Sequence, residues 1–428
     1  MKNKIPISIF IFLPMLLEFP MLKSIPMAPV VRITHLIIVM YVLFKTFSEK
    51  KEYTNENILI ISIFSLLTII SLLSTFKSGI PFLVIKRIYT VLLPSYLLIF
   101  LIYLDSAPEA TFNFLMKLQM YMGVIFSIYG ILLSKFGKWE YLESLEIPIQ
   151  SLQLGKIKLI QRVHGSTVPY RIASFMGNPN GFGLFLVWTM LSTLYLYKMK
   201  KNHNINTFFY LLVQFIAILL TQSRTAFLTL IIAVTLYYFI ISEKKARYFG
   251  AFLLIIPLFL LILGSEKMGL NIAIIKRFQN LDLSGREDVW KVLIDSISEN
   301  YLMGIGFSTS YEVLLSKQTN VNHTHNVYLK VLTETGVIGF ITLVLAWATG
   351  IIFTIKKYIK NKNNKYKYLY AYILTILIVL LLHQMAEEHL MNFHYIMFLW
   401  VYSITLSSID LSASNNEINY CELIKQHE

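Results

Sequence analysis

Asn57 to Thr75 reads NILIISIFSLLTIISLLST, nineteen residues without a formal charge. Wound as a helix, such a stretch covers about 30 Å, the thickness of the hydrocarbon core of a bilayer. Runs of the same kind recur to either side, at 5–22, 30–47, 82–104, 113–134, 176–197, 206–222, 225–241, 248–264, 326–355, 367–386 and 394–410. Together they predict about twelve transmembrane helices. The composition agrees: of 428 residues 56% are apolar and only 14% charged, and the mean hydropathy is +0.61. The expected fold class is therefore an all-α polytopic membrane protein in a single integral domain, 1–428. Lys2 and Lys4 ahead of the first run mimic a signal peptide, but Glu18 interrupts it and no small-residue cleavage site follows, so the run is expected to stay as the first span.

Lys and Arg orient such a bundle, because short cytoplasmic loops carry their excess. Lys45, Lys50 and Lys51 form one cluster, Lys198, Lys200 and Lys201 a second, and Lys244, Lys245 and Arg247 a third; the strongest is Lys356, Lys357, Lys360, Lys362, Lys365 and Lys367. With twelve spans all of these fall on the side of the termini, which are expected to be cytoplasmic. The net charge of +14 then reflects orientation and attraction to an anionic leaflet. No basic stripe with interleaved aromatics stands apart from these loops, so nucleic acid is not an expected partner. One cysteine, Cys421, excludes an intramolecular disulfide and cysteine ligation of a metal.

Two connections exceed simple turns, 135–175 and 265–325, both extracytoplasmic in this topology, and long ordered loops usually carry function. The second is expected to hold short helices. Ser284-Gly-Arg286-Glu287 has the capping-box pattern of a helix start. The helix it opens places Trp290, Leu293, Ile294 and Ile297 at three- and four-residue spacing, as a helix lying on the outer membrane surface would. The notable polar residues also collect on the outer side: Arg171, Asn178-Pro-Asn180, Arg224 in a tight turn, Arg286, His323, His325 and Asn326, and Glu387, Glu388 and His389 in the last outer turn. Such a face suits chemistry on an amphiphile whose head group is presented at the outer surface.

The chain resembles the O-antigen ligase and polymerase superfamily. Four patterns carry the resemblance: Arg171-Ile-Ala-Ser-Phe-Met-Gly-Asn-Pro-Asn180, the Thr221-Gln-Ser-Arg224-Thr-Ala turn, Gly285-Arg286-x-x-x-Trp290 before Gly304-Ile-Gly306, and His325-Asn326 followed after nine residues by Gly336-x-x-Gly339. They cover about 171–400. The resemblance implies a GT-C-like fold and transfer of a glycan from undecaprenyl diphosphate on the outer side of a bacterial inner membrane. It implies a metal-independent transferase without cofactor, acting on an undecaprenyl-diphosphate-linked oligosaccharide and an acceptor glycan beside flippase and chain-length regulator proteins. Carried over residue by residue, it assigns Arg224, Arg286 and His325 to catalysis.

The chemistry fits those residue types. Guanidinium forks stay charged and bind phosphate oxygens bidentately, so Arg224 and Arg286 are expected to clamp the diphosphate, with Arg171 as a third candidate. An imidazole titrating near neutral pH suits His325 as general base toward the acceptor hydroxyl, and a single displacement inverts the anomeric centre. Asn180, His323, Asn326 and Glu388 are candidate substrate contacts. Bland readings stand beside these: Arg224 as a headgroup anchor, Arg286 as a solvated first-turn residue, Asn178 and Asn180 as helix caps, Gly336 and Gly339 as small packing surfaces, and His383, Glu387 and His389 as a polar lining. A zinc site built on His323-x-His325 lacks further fixed ligands. A polymerase is favoured because the outer loops are modest, without a domain to recognise a protein acceptor. A ligase is the alternative, and a lipid-linked oligosaccharide transporter is the alternative of another class, disfavoured because the two halves do not match and the polar set is one-sided.

Overall fold

The computed structural model describes residues 4–18, 27–48, 52–142, 147–164, 170–199, 205–242, 286–317, 323–361, 363–392 and 394–411. Its helices are α1 (Lys4–Glu18), α2 (Met27–Ser48), α3 (Asn55–Leu73), α4 (Pro81–Tyr103), α5 (Pro108–Phe136), α6 (Pro179–Met199), α7 (Ile205–Thr221), α8 (Arg224–Ile241), α9 (Arg286–Glu299), α10 (Ser310–Ser316), α11 (Val327–Lys360), α12 (Asn364–His383) and α13 (Tyr395–Ser408). Seven of them are long and apolar enough to cross a membrane, and α1, α2, α7 and α13 contain shorter apolar segments. The protein is an all-α polytopic membrane protein in its spanning part. Eleven of the expected runs coincide with a helix; the run at 248–264 lies outside the described residues, as do Ser284 of the capping box and Cys421.

Between α5 and α6 the stretch expected only as a loop folds into an antiparallel sheet of β1 (Lys138–Leu142), β2 (Ile147–Leu154), β3 (Ile157–His164) and β4 (Arg171–Ile172), in that order. Gly155, at φ +59, supplies the left-handed residue that a two-residue hairpin turn needs.

The core of the bundle is built on α6 and α13, whose described side chains are almost all buried. Small residues let backbones approach where lipid provides no hydrophobic drive. A Cβ on Gly183 would stand 2.5 Å from that of Ala226, which fixes the α6–α8 crossing. Polar side chains inside the bundle bond to one another: Ser192 Oγ meets Gln119 at 2.6 Å and the Tyr372 hydroxyl at 2.9 Å, and Thr189 donates to Gln214 at 2.7 Å. Hydrocarbon offers these groups no other partner.

The two ends differ. At one end Lys45 Nζ donates to the Leu104 carbonyl at 2.6 Å, Lys357 pairs with Glu56 at 3.1 Å, and Lys365 pairs with Glu109. At the other end α6, α8, α11 and α13 begin, and α9 and α10 pack over α11 through Val289, Leu293 and Leu314, with Trp290, Val292 and Leu329 against them. The buried stripe of α9 is thus shifted from the expected one, since Ile294 points outward.

Gly336 breaks α11 at φ 68°, ψ −171°, a region essentially reserved for glycine. The break lets the Val337 N–H reach the Tyr301 carbonyl at 2.7 Å, while Ile305 and Gly306 donate to the carbonyls of Thr333 and Glu334. Gly336 is therefore a backbone junction, whereas at Gly339 an added Cβ would collide with the Thr335 side chain of the same helix and only touch Ile70, at 3.6 Å. A Cβ on Gly336 would lie 2.2 Å from the Leu302 carbonyl oxygen. Gly336→Ala is expected to destabilise the protein by at least about 1–3 kcal/mol from backbone conformation alone, read as a lower thermal unfolding midpoint in detergent. Gly79→Ala, where nothing lies within 4 Å, is expected to leave the midpoint in place.

Candidate active site

Glu387 sits in the turn between α12 and α13, buried, and most of the site is organised about its carboxylate. That turn is folded by Gln384, whose Oε1 accepts the N–H groups of His389 and Leu390 and whose carbonyl takes the N–H of Val327. Asn180, in the first turn of α6, donates Nδ2 to Glu387 Oε1 at 2.7 Å. Its Oδ1 accepts from Arg171 Nη2 at 2.5 Å, and Arg171 Nε donates to the Thr221 carbonyl that ends α7. Arg286, the first residue of α9, donates to the Ala386 carbonyl at 3.1 Å and stands 3.8 Å from Glu387. His325 Nδ1 lies 3.6 Å from the other Glu387 oxygen.

Burial opposes the charge of Glu387, yet the adjacent His325 imidazole holds the carboxyl down, at about 2. Glu388 beside it is also kept ionised against burial, by Lys330, His323 and Thr324. His323 Nδ1 donates to Glu388 at 2.9 Å, and this contact raises its pKa. The Thr324 N–H donates to the same carboxylate at 2.8 Å. Adjacent glutamates therefore serve alternate histidines, and the two imidazole rings stand 6.2 Å apart, near edge-on.

The histidine loop is held from below and from the side. Trp290 Nε1 donates to the Thr324 carbonyl at 3.0 Å, which is what the Arg286-x-x-x-Trp290 spacing achieves: one helical turn puts the guanidinium and the indole on the same face. Asn326 caps α11, its Oδ1 accepting from Tyr328 and Leu329. His325, just before this cap, has φ 49°, and Gln222, just before the Ser223 cap of α8, has φ 50°. Strained turns thus present both His325 and Arg224. Asn178 caps α6 as the bland reading expects, accepting from Asn180 N at 2.8 Å.

Arg224 is the first residue of α8. Its neighbour Thr225 lines an apolar cleft of about 170 Å³ with Leu228, Ile232, Val379, Leu382, His383 and Ala386. The cleft runs between α8 and α12, and at its head lies Ala386, the acceptor of Arg286. His389 stacks on His394 at 4.5 Å and on His383 at 5.8 Å, and burial pushes the imidazoles of His389 and His394 down toward the neutral form. Stacked rings present faces rather than converging lone pairs, and among the described residues no group of three histidine, cysteine or acidic side chains is arranged to hold a metal.

The structure thus joins Arg171, Asn180, Arg286 and His325 through Glu387, and His323 through Glu388. Asn326 shapes the backbone rather than facing outward. Glu387 and Lys330 are not among the site residues expected from the sequence, where Glu387 belongs to a polar lining. Lys330 is buried and donates to Asn392 at 2.7 Å; a lysine between Leu329 and Val331 in the first turn of α11 is the available signal.

Glu388→Gln is expected to lower the pKa of His323. The His323 imidazolium and Glu388 carboxylate pair persists below the raised value and is lost as pH rises through it. Diethylpyrocarbonate modifies neutral imidazole, so its rate at His323 followed against pH by mass spectrometry should shift to lower pH in the variant.

Residues 209–344 match the family model described as O-antigen ligase. The match supports the O-antigen ligase and polymerase superfamily that the motifs resemble. It spans Arg224, Arg286, His323, His325 and Asn326, and stops short of Arg171, Asn180, Glu387 and Glu388. No curated protein matches the chain.

Proposed function

We propose that this chain, a membrane protein of the O-antigen ligase and polymerase superfamily, moves a glycan from an undecaprenyl-diphosphate carrier to an acceptor hydroxyl on the outer face of a bacterial cytoplasmic membrane. The observation that carries this reading is Glu387, which holds His325 and Arg286 together at one end of the bundle and ties in Arg171 through Asn180. The lysine-rich end then faces the cytoplasm, with both termini there and the loops 135–175 and 265–325 outside.

In this mechanism the apolar cleft between α8 and α12 receives the first isoprene units of the carrier, and the diphosphate lies at its head against Arg286 and Arg224. Arginine is suited because it stays ionised and spreads its donors in a plane. His325 takes the proton of the acceptor hydroxyl while that oxygen bonds to the anomeric carbon. The bond from the anomeric carbon to the phosphate oxygen breaks, and undecaprenyl diphosphate leaves with the electron pair. One displacement inverts the configuration. Glu387 Oε2, 3.6 Å from His325 Nδ1, balances the charge that the imidazole acquires, as the carboxylate does in other acid–base sites. The arginines supply the positive field toward the leaving group, so the scheme needs no metal or cofactor.

The acceptor we propose is a second lipid-linked repeat unit, which makes the enzyme a polymerase of an O-antigen, capsule or exopolysaccharide, beside a flippase and a chain-length regulator. The second reading, kept open by the family description O-antigen ligase, is a ligase that passes the finished glycan to a lipid core.

Purified protein given an undecaprenyl-diphosphate-linked oligosaccharide in the presence of chelator tests this on a gel. A ladder is expected from the wild type. His325→Asn, which tolerates the left-handed backbone, should lose roughly 10²- to 10⁴-fold in rate, and Arg286→Lys and Glu387→Gln should also lose transfer while eluting as folded protein. Transfer only after a lipid-core acceptor is added would move the assignment to the ligase. Normal rates in all three variants would remove the site.

A further inference from the structure

His383 ends α12 and lines the apolar cleft, yet the transfer scheme gives it no task. The hydrogen bonds around it fix which ring nitrogen carries the proton. Gln384 Oε1 accepts two backbone N–H groups, from His389 at 2.9 Å and from Leu390 at 3.0 Å. Those two donors identify the amide oxygen, so it is the amide nitrogen that faces His383 Nδ1, at 3.3 Å. An amide nitrogen only donates, and Nδ1 accepts from it. The ring is therefore the neutral tautomer with its one proton on Nε2.

That N–H has nothing to donate to. Nε2 is buried and meets no acceptor among the described residues, in a residue only 3% exposed, and a buried donor left unpaired is costly. The cleft wall does not satisfy it: Leu228, Ile232, Val379 and Leu382 are hydrocarbon, the Thr225 hydroxyl pairs with Ser223, and the Ala386 carbonyl is taken by Arg286. Along α12 and the turn after it, the cleft is lined by Val379, Leu382, His383 and Ala386 in that order. The Ala386 N–H donates to the His383 carbonyl at 3.0 Å, so His383 and the residue that holds Arg286 share one turn of backbone. His383 thus stands at the first step from the charged head of the cleft into its apolar wall.

We infer that His383 Nε2–H donates to the carrier's phosphate nearest the lipid chain. The inference rests on the reading that this cleft takes a lipid diphosphate, and it adds the residue that recognises where chain and head join. A phosphate oxygen is the acceptor that a neutral N–H binds most strongly in a wall without water, whereas a hydrocarbon chain alone leaves the donor unpaired. His383 therefore selects carriers that bear a phosphate at the start of the chain.

Undecaprenyl diphosphate and undecaprenol share the chain and differ in the phosphates, so the pair isolates the contact. Each is titrated against purified protein in detergent, and the bound fraction is read by native mass spectrometry. His383→Phe keeps a ring in the wall and removes the donor; it is expected to weaken undecaprenyl diphosphate roughly ten- to a hundredfold and to leave undecaprenol as in the wild type. His383→Gln, whose amide can place an N–H near the lost Nε2, should recover most of that loss. Where His383→Phe does not elute as folded protein, His383→Leu takes its place. Equal loss of both lipids means that His383 only shapes the cleft, and overturns the inference; so does unchanged diphosphate affinity in His383→Phe, or a His383→Gln as weak as His383→Phe. Wild-type protein that binds neither lipid overturns it together with the reading of the cleft. The expected binding pattern without a ladder removes the transferase and keeps the contact.

Discussion

A carboxylate sealed at the end of an apolar bundle must be met by donors and positive charge, because leaving it unpaired costs several kcal/mol. Glu387 is met by three elements remote in sequence: Asn180 at the start of α6, Arg286 at the start of α9, and His325 ahead of α11. That requirement draws helix ends together which packing alone would leave independent. The second glutamate repeats the arrangement on a smaller scale, with His323, Thr324 and, at longer range, Lys330. The position of the reactive groups is thus a by-product of satisfying two buried charges, and each partner is rigid because it is also a helix terminus or lies next to one.

Helix ends contribute in a second way. The carbonyl at the C-terminal end of α7 is taken by Arg171, and one in the turn after α12 by Arg286, while α6, α8, α9 and α11 point their N-termini toward the same end. An N-terminus favours anions. Arg286 in a first helical turn looks unfavourable by that rule alone, and Glu387 beside it resolves the conflict.

The spans were legible because bilayer thickness imposes a long, uncharged run, a signal stronger than any other in a single sequence. Helix α11 shows how far a motif can be read. Asn326 as a cap follows from residue type, and the histidine before it from the motif; that Gly336 bends the helix around the Leu302 carbonyl does not, since it depends on a loop thirty residues upstream. The sheet had a readable trace in the partial alternation of Ile157, Leu159 and Val163 with Lys158, Arg162 and His164 after Gly155, but half-polar strands are faint next to flanking spans. The role of Glu387 was invisible for another reason. Its contact with Asn180 bridges 207 residues, and no local pattern encodes which of two adjacent glutamates turns inward.

The length of α11 bears on the membrane itself. Its thirty-four residues would rise about 51 Å as an unbroken helix, far more than the roughly 30 Å of hydrocarbon. The break at Gly336 divides that length: the portion from 337 onward is of spanning length, and 327–335, carrying the buried Lys330 and Glu334, packs under α9 and α10. The protein therefore has a built-in hydrophobic thickness, and a bilayer that departs from it must either wet the upper spans or submerge the charged segment 327–335.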